Sequence, residues 1–354
     1  MFISQTPYRI SLFGGGTDYP SWYSRNGGEV ISTTIDKFIY ISCRYLPPFF
    51  EHRLRLVYSV VEACEDASEL KHLAARNTLK FHGLNQGVEI HYDGDLPARS
   101  GMGSSSSFTV GLLNAIYAYK RVPVTAKRLA GEAIYIEQHL NRENVGSQDQ
   151  INAAYGGFNR IRFHKNGKFS VKPISIPQAR KNELSDNLML FYTGIMRTAE
   201  DVASSYATSP EERASQFTAL SKITTRAGKI IEGSRPLTEI GELLHQSWMT
   251  KRELSAKVSN PVVDKIYDSA RLAGALGGKL TGAGGGGMML LFVPKIKQDS
   301  VKSALSNCLF IPFAFSETGS KIIFSDQQQR YEKEEKVRAE NVTSFVEWSE
   351  IQPD

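Results

Sequence analysis

The chain has 354 residues, of which 41% are apolar and 22% charged, so its composition is that of ordinary globular proteins and excludes bulk disorder. The length favours two domains, each able to bury a core without disulfides or a structural metal. The net charge of +5 is too small to indicate a nucleic-acid-binding protein, although it suits a small anionic ligand.

The cysteines and the N-terminus indicate the compartment. Cys43, Cys64 and Cys308 are odd in number and lack the spacing of a disulfide framework or a zinc site, which favours reducing conditions. The first residues lack the cationic and apolar regions of a signal peptide. The longest strongly apolar run, 288–293, is far shorter than the roughly 20 residues of a membrane span. We therefore predict a cytoplasmic protein that binds neither membranes nor nucleic acid.

Hydrophobic periodicity and turn residues predict the following elements in chain order. Predicted strands, rich in β-branched and aromatic residues or alternating in polarity, cover 28–41, 54–61, 88–92, 156–176, 188–193 and 288–293. Predicted helices cover 62–81, a segment that starts within the serines 104–107, 126–140, two or three long helices within 196–275, and 327–340.

A polar segment at 176–186 separates two predicted domains. The N-terminal domain is placed at 1–182 and the C-terminal domain at 183–329. Residues 330–354 form a tail that carries mixed charges, which is typical of a solvated helix. We expect this tail to cap the second domain or to meet another subunit of a homodimer.

A loop rich in glycine and serine, LPARSGMGSSSSF at 96–108, precedes a predicted helix. The N–H groups of a first helical turn have no intrahelical partner and lie at the positive end of the helix dipole. Gly101 and Gly103 let a polyphosphate approach the backbone without a Cβ clash. The hydroxyls of 104–107 can contact phosphate or magnesium. A capped helix after a flexible loop explains the same residues, although four serines exceed what capping needs.

A second loop, KLTGAGGGGMMLLF at 279–292, leads into a strand, so its G-x-G-x-x-G is a poor match to a dinucleotide-binding fingerprint. Five glycines within 282–287 exceed the needs of one tight turn. They favour close packing of the backbone against a ligand or another domain. No Walker A, protein-kinase, zinc-protease or nucleophile-elbow motif occurs in the sequence.

An acidic pair and an N-terminal turn complete the candidates. Glu137 lies late in a predicted helix and Asp149 begins the next apolar stretch, twelve residues later. Two carboxylates brought together by such a bend can hold a hard cation and orient a nucleophilic hydroxyl. When the pair is taken alone, a surface glutamate and an N-cap aspartate are the simpler explanation. In YRISLFGGGTDYP at 8–20, Asp18 follows three glycines, where it accepts hydrogen bonds from a sugar or forms a turn.

In this order, the segments resemble the GHMP small-molecule kinase superfamily. The first motif of its galactokinase-like members is similar to residues 7–19, which keep Pro7, Arg9, Leu12, Gly14, Asp18 and Tyr19. The second motif, P-x-x-x-G-L-G-S-S, is matched by 97–105, and the third, a glycine-rich turn, by 281–287. The segment SQDQINAAYGG resembles the one that carries the catalytic aspartate of the family. Together these matches span 7–292.

The resemblance implies an α+β fold of the two-layer α/β kind, with ATP and substrate bound between two domains. The N-terminal domain would be ribosomal-protein-like and the C-terminal domain ferredoxin-like. By the match, Asp149 and Arg9 are catalytic, and Glu137 and Ser105 hold Mg²⁺. The loop that binds ATP phosphates comprises Gly101, Met102, Gly103, Ser104, Ser105 and Ser106. The loop that supports it comprises Thr281, Gly282, Ala283, Gly284 and Gly285.

The sequence departs from galactokinase where Gly15 and Gly16 replace a Glu-His pair. Here GGGTD and DLPARSGMGSSSSFTVGLL look most like the members that phosphorylate the anomeric hydroxyl of an already phosphorylated heptose. Losing a carboxylate removes repulsion against such a substrate, and arginines can bind its phosphate. The resemblance therefore implies a phosphorylated sugar as partner, bound by Gly15, Gly16, Thr17, Asp18, Arg99 and Arg197. Alternatives are an L-fucose or galactose kinase, a non-catalytic sugar sensor and a nucleic-acid-binding protein.

Overall fold

Two β-sheets organise the chain. The computed structural model describes residues 1–98, 100–196, 199–326 and 330–340. The strands are β1 (Phe2–Phe13), β2 (Gly28–Tyr45), β3 (Leu54–Val57), β4 (Val61–Cys64), β5 (Val88–Gly94), β6 (Phe158–Phe163), β7 (Phe169–Pro173), β8 (Leu188–Tyr192), β9 (Gly277–Leu280), β10 (Met288–Phe292), β11 (Leu309–Ile311), β12 (Phe315–Ser316) and β13 (Lys321–Ser325).

Helices cover both sheets. They are α1 (Pro20–Asn26), α2 (Leu73–Phe81), α3 (Ser104–Tyr119), α4 (Ala126–Tyr135), α5 (Gln148–Tyr155), α6 (Gln178–Asp186), α7 (Ala199–Ala207), α8 (Ala214–Glu232), α9 (Thr238–Arg252), α10 (Pro261–Leu272), α11 (Gln298–Ala304) and α12 (Glu332–Glu340). A π-helical turn, Ile136–Leu140, continues α4, and short 3₁₀ turns occur at Ala67–Glu69, Pro210–Arg213 and Lys295–Lys297. None of the described helices is long and apolar enough to cross a membrane.

The first sheet is built around the long strand β2, whose β-branched residues suit an extended backbone. β1 pairs with β2 in antiparallel fashion, β6 pairs with the first part of β2, and β5 with its second part. β3 joins β5 in parallel, and β13 lies at the far edge beside β1. Ile31, Ile35 and Ile39 of β2 are fully buried, so this strand carries much of the core.

The second sheet has the strand order β11-β8-β10-β9 with antiparallel pairing throughout. Helices α7–α10 separate β8 from β9, and α11 separates β10 from β11. This βαββαβ arrangement is ferredoxin-like, which confirms the predicted fold class. The helix α8 packs on β1 and β2, whereas α9 packs on β9, β10 and β1, so these two helices join the sheets.

Two sequence predictions were wrong in extent. The helix predicted over 62–81 begins only at Leu73, because Val61–Cys64 instead pairs with Leu54–Val57 as a hairpin. The strands β12 and β13 return to the first sheet, where they pair with β2 and β1, although the sequence placed them in the second domain. Their pairing partners are more than 270 residues away, and periodicity carries no information about such partners.

The described part of the tail lies on the first sheet. Tyr45 Oη at the end of β2 donates a hydrogen bond of 3.0 Å to Glu335 Oε1, and Arg53 forms an ion pair with the same carboxylate. Tyr331 stacks on the Tyr45 ring. Over the described residues, the expectation that the tail caps the second domain is therefore wrong.

Candidate active site

A cavity of about 410 Å³ lies where the two sheets meet, and it gathers segments that are far apart in the chain. Its walls come from the β1 end and the turn after it, the start of α3, the residues before α5, and the second glycine loop. The predicted site residues that line it are Arg9, Gly15, Gly16, Asp18, Gly101, Gly103, Ser104, Ser105, Ser106, Glu137, Asp149, Thr281, Gly282, Ala283 and Gly284.

Three predicted site residues lie behind these walls. The Met102 side chain is buried, and its carbonyl accepts the Arg9 backbone N–H at 3.3 Å. Thr17 Oγ1 donates a hydrogen bond of 2.8 Å to the Gly14 carbonyl, so its hydroxyl proton is used within the turn itself. The Gly285 carbonyl accepts from Asn260 Nδ2 at 2.9 Å. Arg99 and Arg197 lie outside the described residues.

The start of α3 is open to the cavity. Gly103 is the N-cap residue in the left-handed conformation, with φ 78°, and no side chain within the described residues caps the first turn. A Cβ on Gly103 would lie 3.4 Å from both Arg9 Cγ and Asp149 Oδ2, which is ordinary contact, so the positive φ rather than crowding favours glycine here. Ser104–Ser106 line the cavity. The first-turn N–H groups are therefore available to accept an anion beside Asp149, as helix starts commonly do.

The two glycine loops interlock. A Cβ on Gly101 would lie 2.8 Å from the Thr281 carbonyl oxygen, and a Cβ on Gly282 would lie 2.8 Å from Gly101 Cα. The Met288 N–H donates to the Ser100 carbonyl at 3.1 Å, which joins the second loop to the first. This backbone-to-backbone packing is the reason why the second loop is so rich in glycine.

An arginine–aspartate pair forms the floor of this corner. The pairing of β1 with β2 shifts register between Pro7 and Arg9, and such bulges re-aim side chains. Arg9 Nε donates to Asp149 Oδ1 at 2.7 Å, and its Nη2 donates to Oδ2 at 2.6 Å. Its Nη1 donates to the Gly101 carbonyl at 2.7 Å. Arg9 thus fixes the Asp149 carboxylate through a bidentate contact and also holds the glycine- and serine-rich loop at Gly101.

Asp18 is buried close to this pair. It accepts the Gly16 N–H at 2.9 Å and Gln148 Nε2 at 2.9 Å. Burial, and to a lesser extent the negative charge of Asp149, raises the pKa of Asp18. A Cβ on Gly146 would lie 2.0 Å from Asp18 Oδ2, so only glycine permits this approach. Asp18 therefore forms part of a polar cavity wall.

Glu137 occupies the π-helical turn and is fully buried. Its Oε2 accepts a hydrogen bond of 2.8 Å from Ser106 Oγ and one of 2.6 Å from Gln150 Nε2. Its Oε1 is buried without a hydrogen-bond partner among the described residues. Burial raises the pKa of Glu137 to about 8. The hydroxyl brought onto this carboxylate is that of Ser106, whereas the side chain of Ser105 is exposed.

Sequence analysis missed two buried lysines of this cavity. Lys251 at the end of α9 donates a hydrogen bond to the Gly282 carbonyl, and Lys279 of β9 donates to the Leu12 carbonyl at 3.3 Å. Lys279 is the first residue of the segment 279–292 that contains the second glycine loop, a position that marks it as a candidate. No local pattern marks Lys251, because its partners come from other parts of the chain.

Together these features have the arrangement that a phosphoryl-transfer site requires. An uncapped helix start offers free N–H groups, the carboxylate of Asp149 lies beside it, and the buried carboxylate of Glu137 lines the same cavity. Phosphoryl transfer depends on this kind of positioning and charge neutralisation.

The chain belongs to the GHMP kinase superfamily and is a phosphotransferase of that superfamily, whose kinases use ATP. The family model for the GHMP kinases N terminal domain matches residues 56–157, and the model for the GHMP kinases C terminal region matches 230–310. Together the two matches cover more than half of the chain.

Individual relatives are similar over most of their length. The D-glycero-alpha-D-manno-heptose 7-phosphate kinase of Campylobacter jejuni is 29% identical over 333 residues, covering 90% of this chain and 97% of that protein. A crystal structure of a D-glycero-D-manno-heptose 1-phosphate kinase from Bacteriodes thetaiotaomicron has a TM-score of 0.75 at 21% identity, covering 92% and 100%. Lactococcus lactis galactokinase complexed with galactose has a TM-score of 0.69 at 20% identity, covering 90% and 94%. At these identities the two structures establish the fold alone.

The raised pKa of Glu137 predicts a stability effect. From pH 4.5 to about 8, this group stays protonated in the folded protein and ionises in the unfolded chain, so rising pH favours unfolding. In Glu137→Gln, where no proton can be lost, the free energy of unfolding should fall less over this range than in the wild type. The difference is measured by urea unfolding of the metal-free protein between pH 5 and 8. If the free energy of unfolding changes equally with pH in the variant and the wild type, Glu137 does not carry the raised pKa.

Proposed function

We propose that the protein is a cytoplasmic ATP-dependent sugar kinase that transfers the γ-phosphate to the anomeric C1 hydroxyl of D-glycero-D-manno-heptose 7-phosphate. The product would be heptose 1,7-bisphosphate, a precursor for nucleotide-activated heptose. The observation that carries the proposal is the Asp149 carboxylate, held by Arg9 at 2.6 and 2.7 Å beside the uncapped start of α3.

The residues around Glu137 fit a magnesium ion. Its Oε1 is buried and lacks a hydrogen-bond partner among the described residues, which suits a hard cation. Mg²⁺ is usually held through one or two carboxylates together with substrate phosphates. Glu137 would hold the ion, with Ser106 or the predicted Ser105 supplying a hydroxyl. When bound, Mg²⁺ neutralises charge that develops on the β- and γ-phosphates.

The protein groups then have distinct tasks. The first-turn N–H groups of α3 bind donor phosphates, and the loop from Thr281 keeps Gly101 in place. Asp149 orients the C1 hydroxyl and accepts its proton as the new oxygen–phosphorus bond forms. The bond between the γ-phosphorus and the bridging oxygen breaks, and ADP leaves. Arg9 holds Asp149 in the geometry for this step.

Two observations support a phosphorylated heptose as acceptor. The Campylobacter jejuni relative that bears this activity in its name aligns with nearly the whole chain. At Gly15 and Gly16 the cavity wall carries no carboxylate that would repel a sugar phosphate. Arg99 and Arg197 remain proposed ligands of that phosphate on sequence grounds.

Other functions have less support. An L-fucose or galactose 1-kinase would use the same phosphoryl-transfer residues, so only acceptor choice separates it from the proposal. A non-catalytic sugar sensor is expected to lack the acidic pair, whereas Glu137 and Asp149 both line the cavity here.

An ATP-consumption screen across free and phosphorylated sugars, with the product located by phosphorus NMR, tests the proposal. We expect kcat/KM for the heptose 7-phosphate to exceed that for galactose or L-fucose by about 10- to 100-fold, the scale of one charged hydrogen bond. The new phosphorus signal should belong to C1. Turnover of free galactose or L-fucose without turnover of the heptose phosphate would refute the assignment.

A further inference from the structure

Two lysines from the second half of the chain bury their ammonium groups in the cavity wall. Lys251 is 4% exposed and Lys279 is 3% exposed. Each forms one hydrogen bond to a backbone carbonyl, that of Gly282 or Leu12. An ammonium group has three N–H donors, so each lysine retains unused donors. Neither lysine forms a salt bridge with any carboxylate of the described residues.

The acidic side chains nearest Arg9 already have partners of their own. Arg9 is matched by Asp149, and Asp18 is already bound by amide donors. Burial lowers the pKa of Lys251 to about 8. Burial, together with the positive charges of Lys251 and Arg9, lowers the pKa of Lys279 well below its ordinary value. A buried ammonium group without a negatively charged partner is unfavourable. A bound anion would supply that negative charge to both lysines.

We propose that Lys251 and Lys279 form a phosphate-binding site, in which a phosphate group lies against their ammonium groups beside Arg9. Lys251 holds the Gly282 backbone, which packs on the phosphate-binding loop at Gly101. Lys279 reaches the end of β1 just before the first glycine turn. The site thus lies between the donor loop and the acceptor wall.

A phosphate at this position can come from two sources. It is either the phosphoryl group in transfer, for which a positive clamp stabilises developing charge, or the phosphate that the acceptor sugar already carries. The second source rests on the proposed function, whereas the first requires only phosphoryl transfer. Binding measurements with matched ligand pairs separate the two sources.

The test uses the full chain with Lys251→Met and Lys279→Met, which keep an unbranched side chain of nearly the same length and remove the charge and the N–H donors. Lys265→Met, an exposed position on α10, is the matched control. Calorimetry in the presence of Mg²⁺ compares the ATP analogue AMP-PNP with ADP, and heptose 7-phosphate with free heptose. Loss of a charged hydrogen bond predicts about 10- to 100-fold weaker binding of the ligand that carries the extra phosphate.

Two patterns of weakened binding would each support the phosphate-binding site and identify where its phosphate comes from. Weaker AMP-PNP binding with ADP unchanged assigns the lysines to the transferred group. Weaker heptose 7-phosphate binding with free heptose unchanged assigns them to the acceptor phosphate. If all four affinities stay within about twofold of the wild type, far below the effect of one charged hydrogen bond, the proposal is overturned.

Thermal unfolding separates this role from a purely structural one. The ligand-free methionine variants should melt at or above the wild-type temperature, because each removes a buried amine that no carboxylate of the described residues neutralises. A lower melting temperature, with all ligands weakened equally, would mean that the lysines only hold the loops and would also overturn the proposal. Lys251→Gln and Lys279→Gln repeat the comparison if a methionine variant fails to fold. Failure of wild-type heptose turnover would refute the proposed function and leave the AMP-PNP and ADP comparison valid.

Discussion

Asp149→Asn is expected to lower kcat by roughly 10²- to 10⁴-fold, which is the usual contribution of a general base. Asparagine keeps the size of the side chain, but it cannot accept the proton of the sugar hydroxyl. The Asp149 carboxylate accepts two hydrogen bonds from Arg9, whereas the asparagine amide nitrogen is itself a donor. The variant therefore loses one of these two hydrogen bonds. The fold and the uncapped start of α3 do not depend on the carboxylate charge, so donor binding should persist.

Steady-state turnover, circular dichroism and the dissociation constant of AMP-PNP together test this prediction. Asp299→Asn, an exposed change on α11, serves as the control for the chemical substitution itself. A variant of Asp149 with a turnover near that of the wild type would remove this residue from proton transfer. Loss of AMP-PNP binding in parallel with turnover would instead assign Asp149 to the donor site.

Arg9→Met is expected to lower kcat by about 10²- to 10³-fold, on the scale of removing one preorganised donor from a transition state. The change removes both hydrogen bonds to Asp149 and the one to the Gly101 carbonyl. The carboxylate then loses its fixed direction, and the phosphate-binding loop loses a tether. Arg9 is 3% exposed, so water cannot readily replace these contacts.

Two further variants make this result specific. Arg9→Lys keeps the charge but cannot span both carboxylate oxygens, so it should recover only part of the lost turnover. If Arg9 and Asp149 act as one unit, Arg9→Met combined with Asp149→Asn should lose little more than the worse single variant. Fully multiplicative losses would show that the two residues act independently, and unchanged turnover in Arg9→Met would show that the clamp is dispensable.

Local signals were sufficient for much of the molecule. The strand β2 follows from its β-branched run, and the helix α3 from apolar positions that recur on one face. The helix predicted over 126–140 is confirmed as α4 and its π-helical continuation. Each of these patterns depends only on residues within a few positions of one another, which is why they can be read without a structure.

Long-range features escaped sequence analysis for a physical reason. The predicted metal ligand Ser105 and its neighbour Ser106 are identical in type, and only the rotation of α3 brings Ser106 onto Glu137. The bulge beside Arg9 depends on how β1 pairs with β2. Neither the helix rotation nor the bulge leaves a mark in composition or periodicity.

The amino-acid sequence by itself determined where an anion can meet an exposed helix start and which carboxylates are available, because glycine freedom and capping are local properties. The tertiary structure decided which charges share the cavity. Arg9 and Asp149 are 140 residues apart in the chain, and Lys279 and Leu12 are 267 apart. Their interactions depend on distance in space and on exclusion of water, both of which arise only when the two sheets close around the cavity.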